Sequence, residues 1–267
     1  MVLLLHGFPD HARSWRHQMP ALAASGYRAV AITMPGYEPS NMREDGNYTQ
    51  EAVAEDIVAL IDALGVESVH LVGHDWGAAV AYRVANMTPH RIRSLATLSV
   101  PHPGRFLMGI AGTPRQLGMS WYMFFFQLRG FAEVLSKHND YAFIRWLWRR
   151  WSPDWVIPED EIEKVIDTLR QPKVFKSALG YYRAALGLRA LVRPIAEKLF
   201  LVPVRTLAMI GADDGCIDAR TFQNFLRGEE FPAGLRIEVI PNAGHFVQQE
   251  QPEQVNALLI DWLRGSK

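Results

Sequence analysis

Residues 71–82 read LVGHDWGAAVAY. The apolar run at the start of this stretch predicts a buried strand, and the small residues after Gly77 predict the start of a helix. Asp75 lies at the bend between them, with Gly73 and Gly77 two positions away on either side. This spacing is typical of a nucleophile elbow, in which one residue projects from a tight turn. A helix N-cap formed by the Asp75 carboxylate is the alternative interpretation.

The same succession of strand and helix continues on both sides of the bend. Short apolar runs predict buried strands, and apolar residues at helical spacing predict the helices between them. This alternation predicts an α/β fold with a mostly parallel sheet flanked by helices. The predicted strands are Val2–Leu5, Ala29–Ile32, Val69–Val72, Ser94–Val100, Thr206–Ile210 and Arg236–Ile240, and the predicted helices are Ser14–Ala24, 50–64, Ala78–Ala85, Ala219–Leu226 and Glu253–Leu263.

The alternation stops at Pro101 and resumes after about residue 199. The segment between is rich in aromatic residues and predicts helices instead of buried strands. We therefore expect residues 1–100 and 200–267 to form one core, into which residues 101–199 are inserted as a helical cap, or lid. Its aromatic residues either line an apolar tunnel or form the interior of the cap, and they favour a pocket more apolar than polar. They include Phe124, Phe125, Phe126, Trp146, Trp148, Trp151 and Trp155.

Composition excludes several classes of function. The 267 residues carry no net charge, so no basic surface is expected to bind nucleic acid or anionic lipid. No uninterrupted apolar stretch of about 18 residues or more predicts a membrane span. The single Cys216 cannot form an internal disulfide, and the first residues lack the pattern of a secretion signal. A cytoplasmic location is therefore expected.

A carboxylate nucleophile requires a base to activate water, and the base is expected on a loop at the same edge of the sheet. His245 follows the last predicted strand, in PNAGHF. A third group should hold the imidazole in the correct tautomer, and GADDG after the preceding strand offers Asp213 and Asp214. The order nucleophile, acid, histidine is the order expected for this kind of sheet.

Taken together, HGFPD, GHDWG, GADD and AGHF resemble the α/β-hydrolases of the epoxide hydrolase and haloalkane dehalogenase group. The resemblance covers nearly the whole chain. It implies the α/β-hydrolase fold with a cap, and it selects Asp214 as the acid. It also implies an oxyanion hole formed by the backbone N–H groups of Phe8 and Trp76.

The activity implied by this resemblance depends on the leaving group. A carboxylate such as Asp75 is suited to attack an sp³ carbon and to form an alkyl-enzyme ester. Epoxide hydrolases are similar in using two cap tyrosines to protonate the opened ring; YMFFFQLRGFAE points to Tyr122 and GYYR to Tyr182, with Tyr181 as the neighbour that could be confused with it. An epoxide hydrolase acting on a small hydrophobic epoxide with water is therefore expected.

Two alternatives remain open at this stage. A haloalkane dehalogenase would use the same Asp, His and Asp residues, with Trp76 as a halide donor and a second donor such as a cap tryptophan. A catalytically idle scaffold that acts as a ligand receptor is the other, because fold alone does not specify function. No cofactor is expected: the histidines lack metal-ligand spacing, and there is no Gly-rich phosphate loop.

One feature departs from the family pattern. The family normally has two strands before the strand that ends in HG, whereas here HG begins at position 6. Either the true chain begins upstream of Met1, or this is a shortened form, in which case we expect Ala29–Ile32 to lie at an exposed edge of the sheet, where it could pair or aggregate. The residues proposed for catalysis all lie downstream, so we expect their site to form regardless.

Overall fold

The computed structural model describes residues 1–187 and 200–265, which form a parallel β-sheet flanked by helices. The strands are β1 (Val2–Leu5), β2 (Ala29–Ile32), β3 (Val69–His74), β4 (Ile92–Leu98), β5 (Thr206–Gly211) and β6 (Leu235–Ile240). The helices are α1 (Gln18–Ala24), α2 (Gln50–Ala63), α3 (Trp76–Met87), α4 (Pro103–Gly109), α5 (Pro114–Met119), α6 (Trp121–Phe125), α7 (Phe131–Trp151), α8 (Glu159–Arg170), α9 (Val174–Ala185), α10 (Ala219–Asn224), α11 (Val247–Glu250) and α12 (Pro252–Arg264).

The six strands are all parallel and lie in the order β2-β1-β3-β4-β5-β6. Strand β1 shows why both faces of the sheet are covered. Its side chains alternate: Leu3 and Leu5 pack into one apolar core, and Val2 and Leu4 pack into a second core on the opposite face. All four are fully buried, as expected for a parallel strand between two helical layers.

The chain order of the strands reverses around β1. The chain passes from β1 to β2 on one side and then returns to place β3 on the other side of β1. The loops that follow β1 and β3 therefore diverge, and a crevice opens at their carboxyl ends, where ligands of open α/β sheets bind. Both HGFPD and GHDWG lie at this position.

Every predicted strand is confirmed, with ends that differ by at most two residues. The predicted helix Ser14–Ala24 is wrong at its start: a short 3₁₀ turn covers Ala12–Trp15, and α1 begins only at Gln18. Pro20 explains the difference, because a proline has no N–H to donate and is accommodated in the first turn of a helix, not in its interior. The predicted helix after Thr49 is confirmed, and the Thr49 hydroxyl accepts the N–H of Ala52.

Helices α4 to α9 lie between β4 and β5 in the chain, where the insertion is predicted. Their contacts with the sheet loops are direct: the Trp148 indole donates a hydrogen bond to the Pro9 carbonyl at 2.8 Å, and the Tyr182 ring packs on Phe8 at 5.2 Å. Helix α7 changes direction at residues 138–141, which have non-helical backbone angles. Whether 101–199 is a separate domain stays a prediction, and residues 188–199 lie outside the described part.

Strand β2 lies at one edge of the sheet, as predicted, and its four residues are half-buried. Within residues 1–187 and 200–265, the structure has no helix whose length and hydropathy would allow it to span a bilayer.

Candidate active site

Asp75 projects from the turn between β3 and α3 with φ 50° and ψ −119°. This backbone conformation costs about 1–3 kcal/mol for a residue other than glycine, and such strain is concentrated at functional sites. The Asp75 side chain makes no capping hydrogen bond to α3, so the N-cap interpretation is wrong. A side chain on Gly77 would collide with the Leu5 carbonyl, which explains why a glycine follows the bend.

One carboxylate oxygen of Asp75 is held by the loop after β1. The Phe8 N–H donates a hydrogen bond of 2.7 Å to Oδ1. A Cβ atom at residue 7 would overlap the Asp75 side chain, so Gly7 permits this close approach. The Trp76 N–H belongs to the first residue of α3, where a backbone donor has no partner within the helix. Of the two N–H groups predicted as an oxyanion hole, that of Phe8 is hydrogen-bonded to the Asp75 carboxylate, whereas the role of the Trp76 N–H stays a prediction.

The other oxygen of Asp75 faces His245. Its Oδ2 lies 3.6 Å from His245 Nε2, and His245 Nδ1 lies 3.0 Å from Asp214 Oδ2. The second oxygen of Asp214 accepts the backbone N–H groups of Cys216 at 2.7 Å and Ile217 at 2.9 Å, which fixes the carboxylate in its own loop. Asp213 is exposed to solvent. The structure therefore places Asp214, and not Asp213, against the imidazole.

The backbone of His245 is held from two sides by residues that the sequence reasoning missed. Its N–H donates to the Trp151 carbonyl and the Ser152 hydroxyl, both at 3.0 Å. Its carbonyl accepts hydrogen bonds from the His74 ring at 2.9 Å and the Ser99 hydroxyl at 2.6 Å. No local pattern could reveal these partners, because they lie 93 to 171 residues away in the chain.

Several interactions act on the pKa of His245. Burial by itself lowers this pKa, but the contacts with Cys216, Asp214 and Asp75 outweigh it and raise the pKa well above 6.5. The two carboxylates stabilise the imidazolium form, which is the form that a general base produces when it accepts a proton.

The two predicted cap phenols reach the same place from α6 and α9. Tyr122 and Tyr182 are buried, and their rings meet edge to face at 5.7 Å. The Tyr122 hydroxyl lies 3.2 Å from Cys216 Sγ, whereas the Tyr182 hydroxyl has no hydrogen-bond partner in the described residues. Burial, with a smaller effect of Asp75, raises the pKa of both phenols well above 10, so both keep their protons.

The neighbouring tyrosines make other contacts. The Tyr181 hydroxyl donates to the Pro35 carbonyl at 2.7 Å, and its ring stacks on Tyr48 at 5.3 Å. The Tyr141 hydroxyl donates to the Leu169 carbonyl. Both hydroxyls are therefore used in packing, whereas Tyr122 and Tyr182 line the same cavity as Asp75.

An apolar cavity lies between Asp75 and the two phenols that the sequence predicts for catalysis. Its wall includes Asp75, Trp76, both phenols and Cys216, and the pocket is more apolar than polar, as predicted. The remaining lining residues are Gln50, Ala79, Val100, Pro103, Phe106, Leu107, Met123, Ala185 and Ile217.

The aromatic residues considered for a tunnel do not line this cavity. Phe126, Trp148 and Trp151 are buried where the helical segment meets the sheet loops, and their rings lie against those of Phe8, Phe246 and His245, respectively. Phe124 and Trp146 are exposed. The sequence could not assign these positions, because it does not show which face of each short helix points to the sheet.

Comparison with known proteins places this geometry among related folds. The model of the alpha/beta hydrolase family matches residues 2–258. The curated "Epoxide hydrolase 3" of Xenopus tropicalis is 32% identical over 99% of this chain and 71% of its own length, and that of Siraitia grosvenorii is 32% identical over 98% and 91%. A crystal structure of Bacillus megaterium epoxide hydrolase in complex with an inhibitor superposes with a TM-score of 0.84 at 26% identity, covering 98% of this chain and 93% of that one.

Proposed function

The chain belongs to the alpha/beta hydrolase family, among its epoxide hydrolases, and we propose that it converts an apolar epoxide to a vicinal diol through a covalent ester on Asp75. The observation that carries this proposal is the division of labour between the two Asp75 oxygens. Oδ1 accepts the Phe8 N–H, whereas Oδ2 faces the cavity and the imidazole of His245.

In the first step, Asp75 Oδ2 attacks an epoxide carbon. A C–O bond forms to the carboxylate while the ring C–O bond breaks, and the ring oxygen takes a proton from a cap phenol. Tyr122 and Tyr182 suit this role because both are protonated and both border the cavity with Asp75. The opening alkoxide is a much stronger base than a phenolate, so protonation lowers the barrier.

In the second step, His245 removes a proton from water, and the resulting hydroxide attacks Cγ of the ester. The negative charge then develops on Oδ1, which already receives the Phe8 N–H, and the Trp76 N–H is the second donor proposed for this oxygen. Preformed donors of this kind stabilise the tetrahedral intermediate. When the intermediate collapses, the leaving alkoxide, which carries the original Oδ2, takes the proton from the His245 imidazolium and departs as the diol. The water oxygen stays on Asp75, and the proton of the new carboxyl group restores the phenol.

The same Asp, His and Asp residues would allow a dehalogenase to form its alkyl-enzyme ester, but they do little to stabilise a leaving halide. Such an enzyme needs a second N–H donor beside Trp76, and the tryptophans of the helical segment do not line the described cavity. Residues 188–199 contain no tryptophan. Two buried phenols, in contrast, are of use to an alkoxide and of little use to a halide. The epoxide is therefore the substrate that this cavity favours.

A non-catalytic receptor is the weaker alternative. An idle site has no physical need for a strained Asp75 or for an unpartnered, buried Tyr182 hydroxyl, because each of them destabilises the fold. We also propose that residues 101–199 form the cap of this enzyme and that it acts in the cytoplasm; the latter follows from the single cysteine.

Single turnover in water labelled with ¹⁸O tests the mechanism, using a panel of aryl, terpene and fatty-acid epoxides. With enzyme in excess, the first diol should carry unlabelled oxygen from Asp75, and the label should appear in the peptide that contains Asp75. Bromoalkanes serve as the comparison substrates, and halide release measures the competing activity. Full labelling of the first diol would rule out the ester mechanism.

A further inference from the structure

Cys216 is buried against the proposed catalytic groups, although the mechanism does not use it. It is the only cysteine of the chain, and its side chain borders the cavity. One donor atom each from Asp214, Cys216 and His245 lies within 4.8 Å of the other two. The proximity follows from the loop after β5, in which Asp214 Oδ1 accepts the N–H of Cys216 and holds it beside the imidazole.

A second observation points to a ligand in the same place. His245 Nε2 is fully buried and has no hydrogen-bond partner in the described residues. The nearest charged atom is Asp75 Oδ2, at 3.6 Å. Cys216 and Asp75 border the cavity, and the imidazole nitrogen lies behind them, 3.6 Å from Asp75 Oδ2. A thiol sulfur, an imidazole nitrogen and a carboxylate oxygen are donor types that Zn²⁺ binds in proteins.

We propose that Cys216 Sγ, His245 Nε2 and Asp75 Oδ2 form a binding site for a thiophilic divalent cation, such as Zn²⁺ or Co²⁺, with the fourth position open to water from the cavity. The hydrogen bond from His245 Nδ1 to Asp214 orients the ring for this role, since metal-bound histidines usually donate their other nitrogen to a carboxylate or carbonyl.

His245 Nε2 and Asp75 Oδ2, 3.6 Å apart, already have the separation of two ligands of one cation. Zinc lies about 2.3 Å from a thiolate and about 2.0 Å from an imidazole nitrogen, so its tetrahedral ligands are about 3.5 Å apart. The Cys216 thiol would have to give up its contact with the Tyr122 hydroxyl, 3.2 Å distant, to bind the cation. The backbone of the Asp214 loop can stay in place, because its hydrogen bonds do not involve the thiol.

Occupation of this site would inhibit the enzyme reversibly. A metal on His245 Nε2 removes the base that activates water, and a metal on Asp75 Oδ2 blocks the nucleophile. This inhibition rests on the proposed function, whereas the binding of the metal does not. The two can therefore be measured separately.

Cobalt spectroscopy tests the binding without any epoxide. Because Cys216 is the sole cysteine, a thiolate-to-cobalt charge-transfer band can come only from this residue. Titration of the whole protein with Co²⁺ should give a saturable band with one ion per chain, and Zn²⁺ should abolish it. Cys216→Ala should show no band, and His245→Ala should bind at least about tenfold more weakly, which corresponds to about 1.4 kcal/mol.

Two results would overturn the site. One is the lack of a charge-transfer band in the folded wild-type protein at excess Co²⁺. The other is equal affinity in wild type and His245→Ala, which would show a bare thiol and no multidentate site. In a parallel assay, Zn²⁺ should lower epoxide turnover and a chelator should restore it. If no epoxide is hydrolysed at all, the proposed function fails while the cobalt spectrum still decides the metal site.

Discussion

In the sheet loops, Asp75 and Asp214 accept hydrogen bonds from backbone N–H groups, and His245 is held by hydrogen bonds to Asp214, Trp151 and Ser152. In the helical segment, Tyr122 and Tyr182 are held mainly by ring packing. The Tyr182 ring, for example, packs against the rings of Phe8, Trp76, Tyr122 and Phe126 at centroid distances of 4.9 to 5.7 Å. Directional hydrogen bonds therefore orient the nucleophile Asp75 and its base His245, whereas ring packing orients the two phenols that are proposed as proton donors.

This difference suits the two steps of the proposed reaction. Water must be activated at one position relative to the ester, so His245 requires a fixed ring and a fixed tautomer. An epoxide oxygen lies at positions that depend on the substrate, and phenols held by packing can serve more than one of them. The sheet loops should therefore tolerate substitution least, and the helical segment should show its largest effects at the free hydroxyl.

The largest effect is expected in the sheet loops, from Asp214→Asn. The new amide oxygen can keep the N–H groups of Cys216 and Ile217, but its NH₂ group would donate to His245 Nδ1 and impose the wrong tautomer. Turnover should fall by a factor on the order of 10³ to 10⁴. Because the first step does not need the base, the Asp75 ester should accumulate, and intact-protein mass spectrometry should detect it.

Asp213→Asn is the matched control for this change. Asp213 is exposed and one residue away, so its substitution should leave turnover within about twofold and the melting temperature unchanged. Equal losses in the two variants would mean that the acid has been assigned to the wrong residue.

An intermediate effect is expected in the helical segment, where Tyr182→Phe and Tyr181→Phe should differ in whether they change turnover or stability. Tyr182→Phe should lower epoxide turnover by about 10² and raise stability slightly, because it removes a buried hydroxyl that has no hydrogen-bond partner in the described residues. Tyr181→Phe should do the reverse: it removes a hydrogen bond to Pro35 and should cost about 1 kcal/mol of stability with little loss of turnover.

The turnover of one epoxide and the unfolding in urea should be measured for both variants. If Tyr181→Phe lost more turnover than Tyr182→Phe, the proton donor would have to be Tyr181. If both variants kept full epoxide turnover, neither phenol would be the required proton donor. If bromoalkanes released halide and no epoxide was hydrolysed, the dehalogenase alternative would replace the epoxide hydrolase.

Much of the sheet side could be predicted from the sequence, for a physical reason. Each functional residue there directly follows a short apolar strand, and parallel strands bring their carboxyl ends to one edge. Asp75 and His245 follow from this rule alone. The choice of Asp214 over Asp213 does not, because both residues lie in one loop, and it required the resemblance to a known family.

Less of the helical side could be predicted. Short helices with aromatic residues on every face do not reveal which face is covered, so the lining of the cavity by Phe106, Leu107 and Met123 was missed. Cys216 was missed for a related reason: a single cysteine has no spacing from which a site can be inferred. Its neighbour His245 is 29 positions away and reaches it only through the fold.

The smallest effect is a change of about tenfold per pH unit in the rate of ester hydrolysis. It distinguishes His245 in the sheet loops from the phenols in the helical segment. The pKa of His245 is raised well above 6.5, so the neutral base is lost as the pH falls below that pKa, and the rate of ester hydrolysis falls with it. The phenols, with pKa values raised well above 10, stay protonated throughout. Single-turnover rates measured against pH should therefore show ester formation unchanged while its hydrolysis declines.

Tyr182→Phe should leave the pH midpoint of that decline in place. Asp214→Asn should lower the midpoint, because it removes a carboxylate that stabilises the imidazolium. A midpoint that moved with Tyr182 would assign the titrating group to the helical segment and reverse the comparison.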